Sequence, residues 1–519
     1  CNLQRMIKLR PYQEAAVKAL FRYWSNNKDE HPVIGAPTGA GKSYIIAAII
    51  ERTLRNWPDV NILVVSHVKE IVEQDAKAIR TLTGRDVGIY SSGLGEKSKK
   101  QVTVGGIQTL YRNAEEFSNV GFVIIDEAHT IPLEGSGMYR TFFAGVGKAK
   151  YLGLSATLFR LGGGYIYGED KLFDGVAYDL TSKQHFSRLV KDGYLSKLKT
   201  IATKIELDTK TLRTQNGDFK MSDMSSHFDR GPITDGAIKE VIKHGADYKK
   251  WLIFAIDIEH AEHIAETLIR ADIPTQVVHS KMEDDRDKIL RNYKRGKYRA
   301  LVNINVLTTG FDDPEIDLIV LLRPTKSPVL HVQMIGRGLR IAPNKEHCLV
   351  MDFGGNTERL GPIDSVEVKV RRKGKGGKPI TKRCPVCDAI HHPAVRVCEF
   401  CNHEFDFKHG LQDASGSSVL SDNGIWYEVD DVQYHISSKA NRPDSLLITY
   451  QSGLRFFRDW ANIEHPGYAG HMGRHWVKFR GVEATTVKEA FENKDKLAKP
   501  KRIKVSAKGK YPSIDDYDF

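Results

Sequence analysis

The sequence predicts an α/β chain of two tandem parallel-sheet lobes, followed by a small metal-binding ribbon and a β-rich C-terminal module. Three observations carry this. Short apolar β-type runs alternate with helix-like stretches in two successive blocks, NILVVSH, VGFVIIDE and YLGLSAT, then WLIFAID, TQVVHS, YRALVNI, IDLIVLL and HCLVMDF. That alternation is the signature of βα units on a parallel sheet. A glycine-rich loop, APTGAGKS at 36–43, joins an apolar strand to a helix, and four cysteines in two C-x2-C pairs follow the second block. At 519 residues the chain is too long for one ordinary core. The pattern divides it into a first lobe at 6–195, a connection at 196–235, a second lobe at 236–360, a basic linker and ribbon at 361–410, an aromatic-rich β module at 420–485 and a basic tail at 486–519.

Each element has a physical reason. Pro32, Val33 and Ile34 read as a strand and Ser43 through Ile50 as a helix. A phosphate-binding loop needs this context, with backbone N–H groups and a helix N-terminus around the phosphates. Thr38, Gly39 and Gly41 form the loop, Lys42 reaches the outer phosphates, and Ser43 ligates Mg²⁺. Ala36 stands where the usual pattern has its first glycine, a mild departure because Gly39 and Gly41 keep the turn. The run VGFVIIDEAH at 120–129 ends in acids, so Asp126 and Glu127 fall at the carboxyl end of a buried strand, where open α/β sheets bind ligands. Asp126 can hold Mg²⁺ and Glu127 can orient or deprotonate an attacking water.

In the second block, QMIGRGLR at 333–340 places Arg337 and Arg340 three apart, on one face if the run is helical. Phosphoryl transfer spreads negative charge over the γ-phosphate oxygens, and a guanidinium reaching across from another lobe neutralises it.

These motifs, in this order, resemble those of superfamily 2 helicases of the DEAH-box type over roughly residues 7–355. The resemblance implies two RecA-like lobes, with ATP as substrate. It also implies that Arg10, Tyr12 and Gln13 recognise adenine, that Ser66, His67, Gln108 and Thr109 contact a nucleic-acid strand, and that Ser155, Ala156 and Thr157 link hydrolysis to movement. In VLTTGFD at 306–312, Thr308 and Thr309 would touch nucleic acid, and Gly310 and Asp312 the nucleotide; Ser280 is a further strand contact. His129, Gln333, Gly336, Arg337 and Arg340 complete the implied catalytic set.

The net charge of +12 is unevenly spread. Residues 366–383 and 494–510 each carry eight Lys or Arg against one acid, so the rest of the chain is close to neutral. Such runs are either solvated or in contact with phosphates; beside a helicase-like motor the second reading is favoured. The apolar runs are too short to span a membrane and the N-terminus lacks a signal-peptide pattern, so a soluble cytoplasmic protein is expected. In that compartment the pattern C-x2-C-x10-C-x2-C at Cys384, Cys387, Cys398 and Cys401 reads as a structural Zn²⁺ site rather than as disulfides. His391, His392 and His403 are then non-ligands and Cys348 a core residue. The glycine-rich linker RRKGKGGK should let the ribbon behave independently of the lobes.

Residues 203–235 read as the connection between lobes. Residues 425–482 read as mostly strand, in IWYEVDDVQYHI, SLLITYQSGLRFF and HWVKFRG. Their aromatics either stack on bases or fill a small core. The whole arrangement resembles RadD-type helicases and related phage enzymes, which implies DNA repair or recombination on single-stranded, forked or branched DNA, 3′ to 5′ travel, and single-strand-binding or recombinase proteins as partners. Three other readings stand: a restriction-system motor, an RNA helicase and a non-catalytic nucleic-acid clamp.

Overall fold

A computed structural model describes residues 7–364, 382–391, 397–405 and 425–519, except 132–136, 161–163, 170, 202, 204, 206, 208, 210, 216, 229–230, 305, 308–309, 440–441, 454, 467 and 507–512. The chain forms two compact units, Cys1–Ser421 and Asp422–Phe519.

The first unit contains both lobes. The first sheet runs Gly175–Asp179, Pro32–Gly35, Lys150–Ser155, Val120–Ile125, Asn61–Ser66, Val102–Gly106, Val87–Ser91 and Glu96–Lys97, parallel except for the last pair. Its inner strands are apolar throughout because both faces are covered, as all-parallel sheets require. This order sets up the site. Pro32–Gly35, Lys150–Ser155 and Val120–Ile125 are neighbours and parallel, so the loop from Ala36, the Ser155 turn and Asp126 all leave the same sheet edge. Ala36 N–H donates to Ser155 O at 2.9 Å.

The second sheet runs Lys197–Thr200, His347–Asp352, Leu318–Leu321, Trp251–Phe254, Ala300–Asn303 and Thr275–Val278, all parallel. Here the sequence reading needs correction. Residues 197–200 lie within the expected connection at 196–235, yet they form the edge strand of this sheet. The run KLKT hid it, because an edge strand half-facing solvent carries charge at alternate positions and buries only Leu198 and Thr200.

The four-cysteine ribbon belongs to this same unit and abuts that edge. Ile201 bridges Ala389 in antiparallel fashion, Lys199 lies 5.8 Å over the Phe400 ring, and His347 packs edge-on to Phe400 with 5.3 Å between centroids. The expected independence of ribbon and lobes is therefore wrong: the ribbon covers polar backbone that an edge strand would otherwise expose. Most of the linker itself, 365–381, lies outside the described residues.

The second unit has two three-stranded antiparallel sheets. One pairs Asp431–Lys439, Arg442–Ser452 and Arg455–Ala461; the other pairs Ile425–Glu428, Arg502–Ser506 and Ser513–Asp518. Two expectations fail here. HWVKFRG is not a strand, since Tyr468–Phe479 is a helix that buries Val477. Residues 486–519 are not simply a basic tail, because Val487, Ala490, Leu497, Ile503 and Val505 fill the unit's core. The lysines masked an ordinary alternation in which Ile503 and Val505 point in while Arg502 and Lys504 point out. Thr486 and Glu489 form a capping box that starts the short Val487–Glu492 helix. Among the described residues, no helix is long and apolar enough to cross a membrane.

Candidate active site

The loop between Pro32–Gly35 and the Lys42–Asn56 helix turns through two left-handed residues, Gly39 at φ +88° and Gly41 at φ +76°. Side chains would be strained at both. The loop is braced from below. Tyr12 Oη and Gln13 Nε2 both donate to Ala40 O, at 2.9 and 3.0 Å, and Arg10 N–H donates to Gln13 Oε1 at 2.9 Å. Arg10 also stacks over Tyr194, which packs against Tyr12. The structure thus brings Arg10, Tyr12 and Gln13 to the loop and adds Tyr194.

Lys42 Nζ reaches Glu127 Oε1 at 2.5 Å and Asp126 Oδ1 at 3.5 Å. Burial works against the lysine's charge, but the two carboxylates outweigh it and hold its pKa above the ordinary value. Burial likewise raises Asp126, with Lys42 opposing. Glu127 is drawn below its ordinary value, because Lys42 and His129 together overcome the burial penalty. Glu127 itself stands at φ +51°, a left-handed conformation uncommon for a non-glycine residue and characteristic of constrained sites. Ser43 is half-buried at the first helical turn.

From Glu127 a polar chain crosses to the second lobe. His129 Nδ1 is 3.3 Å from Glu127 Oε2 and 2.9 Å from Ser155 Oγ, and Ser155 Oγ accepts the Thr157 N–H at 3.1 Å. His129 Nε2 meets Gln333 Nε2 of the second lobe at 3.2 Å. Burial pushes His129 down to about 4, so it is neutral at neutral pH, and one ring nitrogen can accept from the Gln333 amide. Gln333 lies on the Pro328–Gly336 helix, whose end presses on the phosphate loop: a Cβ on Gly336 would sit 2.9 Å from Thr38 Cβ. Only glycine allows that approach.

Arg337 and Arg340 do not share a helix face, because the helix ends at Gly336 and Arg340 is extended. Both nonetheless donate to Phe311 O, and Arg340 pairs with Asp312 at 2.9 Å. Burial, then the nearby Arg340, lowers Arg337 to about 10, while Glu127 opposes the shift. Gly310 lies at the same seam, its carbonyl accepting from Gln74 Nε2 of the first lobe. Beside it Glu70 pairs with Arg286, a second cross-lobe link.

The expected strand-contacting residues are scattered. Gln108 and Ser280 are exposed and His67 half-buried. Ser66 is fully buried at its strand's end, and Thr109 is buried with its hydroxyl accepting the Ser92 N–H at 2.9 Å, so neither presents its hydroxyl at the surface. Thr308 and Thr309 lie outside the described residues. Sequence reasoning missed Gln74, Glu70 and Arg286, which carry no motif signal. It also missed Asp75, buried on the Lys69–Thr83 helix, whose Oδ2 has no hydrogen-bond partner in the described structure. Burial, then Asp126, holds Asp75 well above the carboxylate range.

The ribbon's four Sγ atoms lie within 4.8 Å of one another, with Cys384–Cys401 at 3.5 Å and Cys387–Cys398 at 3.6 Å. A tetrahedron built on bonds of ~2.3 Å has edges of about 3.8 Å, so the set fits one zinc ion. Each knuckle ends alike: Asp388 and Asn402 are left-handed at φ +57° and +58°, with their N–H groups bonded to Cys384 O and Cys398 O. His391 Nε2 lies 3.2 Å from Cys398 Sγ, beside the cluster rather than in place of a thiolate.

A nucleotide-phosphate cradle on one lobe, faced by paired arginines on a second, defines a two-lobed P-loop ATPase fold. Comparison with known proteins carries this further. The family described as "Type III restriction enzyme, res subunit" matches residues 6–160, and "Helicase conserved C-terminal domain" matches residues 235–342. IRC3 of Saccharomyces cerevisiae, named as an ATP-dependent helicase, is 28% identical over 365 residues, covering 67% of this chain and 51% of that protein. A 51.5 kDa Lactococcus phage protein is 26% identical over 72% of this chain and 78% of its own length. XPB2 of Sulfurisphaera tokodaii, named as a DNA 3′-5′ translocase, is 27% identical over 66% and 81%. A Vibrio vulnificus fragment named as an HsdR restriction subunit shares the fold at TM-score 0.52 and 18% identity, over 69% of this chain and 66% of that one. The chain carries both family matches on tandem RecA-like lobes, which together with the helicase-named relatives supports a superfamily 2 helicase. It spans about half the length of the first curated relatives it matches, 51% and 58%.

Proposed function

We propose that the protein is an ATP-dependent DNA helicase or translocase acting on single-stranded, forked or branched DNA. The observation that carries this reading is the polar chain Lys42–Glu127–His129–Gln333, which joins the phosphate loop of one lobe to the arginine-bearing helix end of the other. Lys42 holds the outer phosphates, Glu127 orients and deprotonates water, and Arg337 and Arg340 meet charge that develops on the γ-phosphate. Ser43 and Asp126 would hold Mg²⁺, which neutralises phosphate charge when bound. Thr38, Gly39 and Gly41 surround the phosphates, Arg10 and Gln13 take the base, and Gly310 and Asp312 report nucleotide state to the second lobe. Opening and closing of the seam converts each hydrolysis into a step along the strand. Cys384, Cys387, Cys398 and Cys401 would hold a structural Zn²⁺.

Names of relatives support DNA as the track, and the resemblance to RadD-type enzymes supports work in repair or recombination in a bacterial or phage-infected cytoplasm, beside single-strand-binding or recombinase proteins. A second reading, the motor of a restriction assembly, is supported by 26% identity to the EcoKI endonuclease subunit of Escherichia coli over 70% of this chain. ATPase rates with no nucleic acid, single-stranded DNA, forked DNA and RNA test the proposal. Stimulation by DNA but not RNA is expected; a rate indifferent to DNA would defeat it. Nuclease activity recovered with a copurifying subunit would select the restriction reading.

A further inference from the structure

The second unit leaves one sheet face in solvent. In the sheet of Asp431–Lys439, Arg442–Ser452 and Arg455–Ala461, one face packs Val432, Leu446, Ile448, Tyr450, Phe457 and Ala461 into the core. Register assigns the other face three rows: Asp431–Gln451–Phe456, Gln433–Thr449–Arg458 and His435–Leu447–Trp460. Phe456 is 58% exposed and Trp460 47% exposed, on the outer strand, with exposed Arg458 between them.

We propose that this face binds single-stranded DNA, with Phe456 and Trp460 stacking on bases and Arg458 meeting the backbone between them. Alternation on a strand puts residues 456, 458 and 460 on one side. Four residues at ~3.4 Å separate the two rings by about 14 Å along the strand, too far to stack on one another and open to a base at each. Single-strand binders combine such rings with cationic side chains, because every base has a π-face and the backbone is anionic.

The chemistry argues against two alternatives. A core role would bury the rings. A protein-docking patch would be contiguous and apolar, whereas here the middle row is an amide, a hydroxyl and a guanidinium, which suits a strand with bases and phosphates. The acid on this face, Asp431, sits at the corner strand and accepts from Gln433 Nε2 at 3.2 Å. The choice of DNA over RNA rests on the function proposed above; the stacking geometry does not.

The test uses the full chain and a fluorescent deoxythymidine oligonucleotide. Phe456→Ala and Trp460→Ala should each weaken binding about 5- to 150-fold, the range that loss of one stacked base gives. Turnover at saturating DNA should stay within about twofold, with a raised DNA concentration for half-stimulation. Phe456→Tyr with Trp460→Phe, which keeps both rings, should restore affinity. Ring removal should leave the slope of log K against log salt unchanged, while Arg458→Ala should make it shallower by about 0.7. Wild-type-like affinity in the double alanine variant, or no rescue by the ring-keeping variant, would overturn the proposal. A wild-type protein that neither binds the strand nor responds to it would instead overturn the DNA-motor reading.

Discussion

The seam between the two lobes and the open sheet face of the second unit solve opposite problems. At the seam, polar groups engage one another: buried Lys42 with Glu127 and Asp126, Arg340 with the exposed Asp312, and the uncharged Gln333 with neutral His129. A buried charge without partners is costly, so the site is held by mutual pairing, and a nucleotide must displace part of it. On the open face, Phe456 and Trp460 remain in water, where an apolar ring has nothing to gain until a ligand covers it. One region is built to be rearranged by its ligand, the other to be covered by one.

That contrast can be broken from either side. The largest effects belong to the seam. Glu127→Gln should slow ATP turnover by about 10²–10⁴-fold while nucleotide still binds, since what is lost is proton transfer from water. Turnover within about tenfold of wild type would remove Glu127 from that role. Lys42→Ala should lose nucleotide binding as well as turnover, measured by titration with a fluorescent ATP analogue.

The ribbon comes next. Metal analysis should find one zinc per chain, and chelation or Cys398→Ser should lower the melting temperature of the lobe region as well as unfold the ribbon. The reason is the Ile201–Ala389 bridge and the Phe400 contacts, which cover an edge strand of the second sheet. An unchanged lobe transition after chelation would show that the ribbon merely rests there.

A smaller effect concerns Asp75. Its folded-state pKa is raised by burial, then by Asp126, so the unfolded chain releases this proton at lower pH than the native state does. Stability therefore falls as pH rises from the ordinary carboxylate value of about 4 through the folded value. Asp75→Asn removes that penalty and should raise the melting temperature of nucleotide-free protein by about 2–4 °C at pH 8, with the gain fading toward pH 4. A constant gain across pH would point to packing instead.

The paired lobes were legible in the sequence because phosphate chemistry fixes residue type and spacing together. Lys42, Asp126, Glu127, Gln333 and Arg337 meet at one seam although up to 295 positions apart, each set by a local motif at a strand or helix end. The partners that seat those motifs were not legible. Tyr194, Gln74, Glu70 and Arg286 act through tertiary proximity, which leaves no spacing to read. Asp75 sits one residue from Gln74 on a helix whose other acids are half-buried (Glu70) or exposed (Glu73), and only its inward angle distinguishes it. In the second unit, charge hid structure: Lys504 and Arg502 alternate with buried Val505 and Ile503, and the alternation was outweighed by the basic composition around it. The two cysteine knuckles were legible in their spacing, while Asp388 and Asn402, which close each turn in the left-handed region, follow each pair in plain view.

The most direct test of a site completed across the seam is a double-mutant cycle between the lobes. His129→Ala and Gln333→Ala are measured singly and together in DNA-stimulated ATP turnover at saturating nucleotide. Residues in one hydrogen-bond network couple by about 0.5–3 kcal/mol, so the double variant should depart from the sum of the singles by that amount. Strict additivity would mean that the 3.2 Å contact between His129 and Gln333 transmits nothing, and that each lobe acts on ATP alone.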